Sequence, residues 1–131
     1  MRRKRALRRL VVDSATAYLW SVGHRHGAGR PCEEVLTLHR DGTRTRIVFR
    51  EGPGRAVAGG YQPGGYVIDE HGNGLNLNQP GNVRALVDEA VRRGLLPGDG
   101  DLDGWELLPA AVVSRAAAAT PEAPPDCPPG P

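Results

Sequence analysis

The sequence predicts an α+β fold: an antiparallel sheet of hairpins, one main amphipathic helix packed on one face, and a possible short C-terminal helix. Three observations predict it. Two alternating segments meet at Asp41–Gly42, a dipeptide that favours a two-residue hairpin loop. A second pair of strand-like runs flanks residues 14–16. Between residues 83 and 95 the apolar residues recur at helical rather than strand spacing.

In chain order, residues 1–8 read as a basic flexible arm, 9–118 as a single α+β domain, and 119–131 as a Pro-rich disordered tail. The runs RLVVD (9–13) and AYLWSVGHR (17–25) form the first hairpin, with Tyr18, Trp20 and Val22 on one face by the two-residue period. In the second hairpin an Asp41–Gly42 loop sets Arg40 opposite Thr43. That register puts Leu36, Leu38, Ile47 and Phe49 on one face, and Thr37, His39, Arg44 and Arg46 on the other. Residues 51–65 carry six glycines and two prolines without a period, and read as a loop. YVID and LNLN are short strands joined by a turn at 71–74.

The helix follows, with Val83, Leu86, Val87, Ala90, Val91 and Leu95 on its buried face. Asn78 is the expected N-cap, Pro80 suits the first turn, and Gly94 is the expected C-terminal cap. Arg84–Asp88, Asp88–Arg92 and Glu89–Arg93 have i,i+4 spacing on its wet face. Residues 97–104 read as a turn-rich link, 105–108 as a short strand, and the alanines beyond as a helix.

Charge is distributed unevenly. Six of the 17 basic residues (Arg2, Arg3, Lys4, Arg5, Arg8 and Arg9) lie in the first ten positions. The rest of the chain carries 15 acidic residues against 11 basic ones. Sixteen of the 17 basic residues are Arg, which together with abundant Ala, Gly and Pro suggests high-GC coding and weakens the arginine count as a sign of nucleic-acid binding. No run approaches the ~20 apolar residues of a membrane span, and Asp13 interrupts the apolar run after the basic start, so a secretory leader is not expected. Cys32 and Cys127 do not make a disulfide framework. The expectation is a cytoplasmic protein without a membrane contact.

Several chemistries can be weighed from spacing. HGNGLNLNQPGNVRAL (71–86) has the glycines of a phosphate loop, but they precede a strand rather than a helix, no Lys–Ser/Thr pair follows, and Pro80 removes an N–H that an anion would use. A turn and a cap are expected there. His24, His26 and Cys32 are close in sequence, and His39, Asp41 and His71 could approach, yet no paired-ligand motif supports a metal. No serine lies in a nucleophile elbow. The adjacent pairs Glu33–Glu34 and Asp69–Glu70 point to opposite faces of a strand and do not converge from spacing alone. Asp99, Asp101 and Asp103 alternate as in a calcium loop, but Ala110 stands where the bidentate glutamate belongs. No metal and no cofactor is expected.

RRLVVDSATAYLWSVGHRH, EVLTLHRDGTRTRIVFREGPGR and GLNLNQPGNVRALVDEAVRRG together resemble short uncharacterised proteins of high-GC actinobacteria, over roughly residues 9–96. The resemblance implies a compact domain of this layout and no particular activity.

The function expected from the sequence is a small non-catalytic binding domain whose partner is another protein. Its contact residues would be His39, Arg44 and Arg46 on the outer sheet face, with Arg55 and Tyr61 from the glycine-rich loop. The alternative is a nucleic-acid-associated accessory protein that binds weakly through Arg2, Arg3, Lys4, Arg5, Arg8 and Arg9. A metal-dependent or Cys/His enzyme ranks third.

Overall fold

The structure is a computed structural model that describes residues 7–25, 29, 31–57 and 65–119. Alternation builds the main sheet. Strands β1 (Arg8–Asp13), β2 (Thr16–Arg25), β3 (Glu33–Arg40) and β4 (Thr43–Arg50) pair antiparallel, each with the next. The Asp13 carboxylate holds the first turn by accepting the Ala15 N–H. The β3–β4 register is the expected one, from Arg40 opposite Thr43 to Glu33 opposite Arg50. Asp41 and Gly42 have φ of 53° and 79°, the two left-handed residues that a type I′ turn needs.

A smaller antiparallel sheet follows from β5 (Arg55–Val57), β6 (Tyr66–Asp69) and β7 (Gly74–Asn76). β5 corrects the expectation that 51–65 is all loop. A tight turn returns the chain from Gly52 to Arg55 through reciprocal backbone bonds of 2.9 and 3.0 Å, so three residues pair with β6 without an extended apolar period. The β6–β7 turn is held by Asp69, whose carboxylate accepts the N–H groups of His71 and Asn73 and the Asn73 side-chain amide. Gly72 and Gly74 therefore belong to a turn and strand entry, as the spacing suggests.

Helix α1 (Pro80–Arg92) begins one residue later than expected: its N-cap is Gln79, not Asn78, and no side chain caps it. Asn78 instead donates its backbone N–H to Asn76, and the Asn82 amide, one turn into the helix, returns to the Asn76 carbonyl. At the other end Gly94 has φ of 76°, and the bonds Gly94 N–H to Val91 O and Leu95 N–H to Ala90 O form a Schellman motif. Val83, Leu86, Val87 and Ala90 are buried as expected, but Val91 is 48% and Leu95 39% exposed. The buried stripe turns toward Asn82, Ala85 and Glu89 instead. Among the spaced charges, Arg84–Asp88 forms, while Glu89 takes both Arg92 and Arg93. Asp88–Arg92 is thereby replaced by an i,i+3 pair.

The C-terminal part departs most from expectation. Residues 100–103 are not a link but strand β8 (Gly100–Asp103), parallel to β4 with Leu102 opposite Ile47. It closes the main sheet in the order β1-β2-β3-β4-β8. Residues 105–108 are not a strand, because helix α2 (Gly104–Ala119) starts at once. Asp103 caps it by accepting the Trp105 N–H at 2.9 Å. Pro109 lies inside this helix. It deprives one carbonyl of its donor, but Trp105, Leu107, Leu108 and Ala111 are all buried, and their packing holds the helix across the proline.

Each layer contributes to one core. Leu10, Tyr18, Trp20, Leu36, Leu38, Ile47 and Phe49 come from the inner sheet face; Val67, Leu75 and Leu77 from the second sheet region; Leu86 and Leu108 from the helices. α1 and α2 pack on each other, and α2 also meets β4 and β7. No described helix is long and apolar enough to cross a membrane.

Candidate interaction face

The core side of the main sheet is filled, so the candidate surface is its other side. Strand alternation fixes which residues stand there. The pairings Arg9–Leu19, Leu19–His39 and His39–Arg44 align four residues in one row across β1 to β4. With strands ~4.8 Å apart, the row spans about 14 Å. The next rows are Ser21–Thr37–Arg46–Asp101, Gly23–Val35–Val48–Asp103 and Arg25–Glu33–Arg50. Val35 is buried at the centre of this side but stands outside the main core cluster.

The acidic groups of this face are already engaged. Glu33 accepts Arg25 and Arg50, both at 2.7 Å. Burial pushes the Glu33 carboxyl up, but the bonds from Arg50 and Arg25 outweigh it and hold the group below its usual range. Asp101 takes Arg46 in a bidentate pair at 2.8 and 3.1 Å, and Asp103 caps α2. Arg46 is therefore not the free cation that its sequence position suggests. Residues 97–104 carry no strand period in the sequence, so no carboxylate is legible beside Arg46.

The top row has no such partners. The side chains of Arg9, His39 and Arg44 make no ion pair or hydrogen bond among the described residues. Leu19 between them is 43% exposed, and Val11, one step along β1, is 54% exposed. Arg9 and Leu19 were legible as neighbours of His39 only once the pairing of the two hairpins was known.

The other expected contact residues lie elsewhere. Arg55 places its guanidinium 5.7 Å from the Trp105 ring centre, on the core side where Trp105 meets Phe49. Arg8 belongs to β1, stacks 4.3 Å over Trp20, and donates to the Asn78 carbonyl at 2.7 Å. Tyr61, Arg2, Arg3, Lys4 and Arg5 lie outside the described residues, as do His26, Cys127 and the tail beyond residue 119.

One titratable contact is not legible in the sequence. Glu34 points inward, is 1% exposed, and lies 2.5 Å from His24 Nδ1. Burial raises its pKa, against the lowering effect of the bonds from His24 and the Gly65 backbone. The inward turn of Glu34 and outward turn of Glu33 follow from alternation; that position 24 supplies the partner follows from the β2–β3 register. Among the described residues no cluster of three or more His, Cys, Asp or Glu side chains gathers around a metal position.

The layout defines an α+β domain with a charged, partly apolar outer sheet face. No family model, curated protein or solved structure matches the chain.

Proposed function

We propose that the protein is a non-catalytic cytoplasmic binding domain whose outer sheet face docks an acidic segment of another protein. The observation that carries this reading is the Arg9–Leu19–His39–Arg44 row: its polar side chains have no partner among the described residues, while the acids of the face are spent internally. Exposed Leu19 and Val11 supply apolar area beside the charges, the combination of an anchor and charge complementarity that a protein interface uses. The local positive charge stands against a body that is acidic beyond its first ten residues.

A second reading is favoured by the position of Arg9, which continues the basic start of the chain onto the same face. On that reading the arm and Arg9 hold nucleic-acid phosphates.

Titration of the labelled protein with a polyglutamate peptide and, separately, with a single-stranded oligonucleotide tests both. The first reading expects saturable shifts at Leu19, His39 and Arg44 with the peptide, lost in an Arg9→Glu/Arg44→Glu variant. Oligonucleotide binding that is steeply salt-dependent and disappears on deletion of residues 2–6 supports the second. Peptide shifts that survive the double reversal sink the first.

A further inference from the structure

A cavity of about 130 Å³ opens at the end of the main sheet that carries the Asp41–Gly42 turn, on the core side rather than the outer face. Leu38 and Leu96 give it an apolar floor, and Tyr18, Arg40, Asp41 and Thr43 contribute polar groups. Thr45, also on its wall, donates its hydroxyl to the Gly98 carbonyl and has its hydrogen committed.

Two groups on the wall remain uncommitted. Tyr18 is only 6% exposed, yet its hydroxyl has no hydrogen-bond partner among the described residues. It is also not among the polar atoms sealed from solvent, of which Trp20 Nε1 is the described case. The oxygen therefore reaches solvent, and Tyr18 lines the cavity. The second group is Arg40. Its guanidinium lies 5.9 Å from the Tyr18 ring centre, and its nearest carboxylate, Asp41, is 3.8 Å away on a side chain that is 80% exposed. An ion pair so long and so wet leaves the guanidinium available.

We propose that this cavity binds a small organic monocarboxylate. The carboxylate sits between the Arg40 guanidinium and the Tyr18 hydroxyl, and the apolar remainder lies against Leu38 and Leu96. A planar guanidinium matches a carboxylate in geometry. Asp41 and, at longer range, Asp13 already offset the single cation of the wall, so the site tolerates at most one further negative charge and repels a dianion such as phosphate. Size limits the ligand further: the cavity measures about 130 Å³. That is below the usual range for larger ligands, and admits a short aliphatic acid or a single aromatic ring acid.

The probes are benzoate, butyrate, benzamide and inorganic phosphate, each titrated into the labelled full chain. Saturable amide shifts at Leu38, Arg40, Thr43 and Gly98 are expected with benzoate or butyrate, and none with benzamide or phosphate. Arg40→Gln is expected to weaken binding about tenfold, the scale of one charge-assisted hydrogen bond, and Tyr18→Phe to weaken it less while keeping the ring in the core. Melting curves of both variants establish that they fold; should Arg40→Gln fail to fold, Tyr18→Phe together with the benzamide control decides alone. Phosphate binding as well as benzoate, carboxylate shifts confined to Arg9, His39 and Arg44, or no saturable shift with either acid would overturn the proposal.

Discussion

Gly104 shows how one missing side chain allows two elements to meet. It is the first residue of α2, and a Cβ there would fall 2.5–2.6 Å from three atoms of the Phe49 ring. Phe49 is fully buried and packs edge-on against Trp105 at 5.2 Å, so the ring has nowhere to withdraw. Gly104→Ala should cost about 1–3 kcal/mol, the usual penalty for overpacking a core, seen as a lower melting temperature. An unchanged melting temperature would mean that α2 starts differently. Glu34 makes a pH prediction at the same scale. Its folded-state pKa is raised by burial above the ordinary 4.5. A raised carboxyl contributes stability that is present below its unfolded pKa and is lost as pH rises through the folded value. Glu34→Gln removes that loss. Denaturation across a pH series should show the variant gaining on the wild type as pH climbs past 4.5. The reverse trend would mean that the His24 contact outweighs the burial of the charge.

At the scale of elements, what could be read from the sequence was what local chemistry decides. Asp41–Gly42 sets its own turn and so its own register, and the face of Leu36, Leu38, Ile47 and Phe49 follows from alternation alone. β8 was not readable, because four residues with one apolar side chain, Leu102, carry no period and pair with a strand more than fifty positions away. The strand expected at 105–108 is instead the first turn of α2, because the burial of Trp105, Leu107 and Leu108 holds one helix across Pro109. The row on the outer face was half legible: His39 and Arg44 come from one hairpin, whereas Arg9 and Leu19 join them through a pairing between hairpins. For α1, the buried seam can be tested directly. Leu86 is fully buried, so Leu86→Ala should cost ~2–5 kcal/mol. Arg92 is exposed and shares Glu89 with Arg93, so Arg92→Ala should leave the denaturation midpoint close to wild type. Equal damage from the two variants would place the docking face elsewhere.

At the scale of the whole molecule, the placement of β8 governs the order in which the sheet becomes complete. Four strands are contained in the first fifty residues, and each pairs with its sequence neighbour. The flank of β4 is covered only when Gly100–Asp103 arrives, after the second sheet and α1 have been made. During synthesis, β4 therefore waits through about fifty residues with its outer backbone groups unpaired, the condition in which a strand recruits another chain. A chain stopped after residue 99 should self-associate in sedimentation, whereas the full chain at the same concentration should sediment as the smaller species. Equal sedimentation would show that β4 needs no cover. The finished margin has a second property: once β8 has docked, the next chain to approach meets a strand of only four residues, too short to template a long pairing.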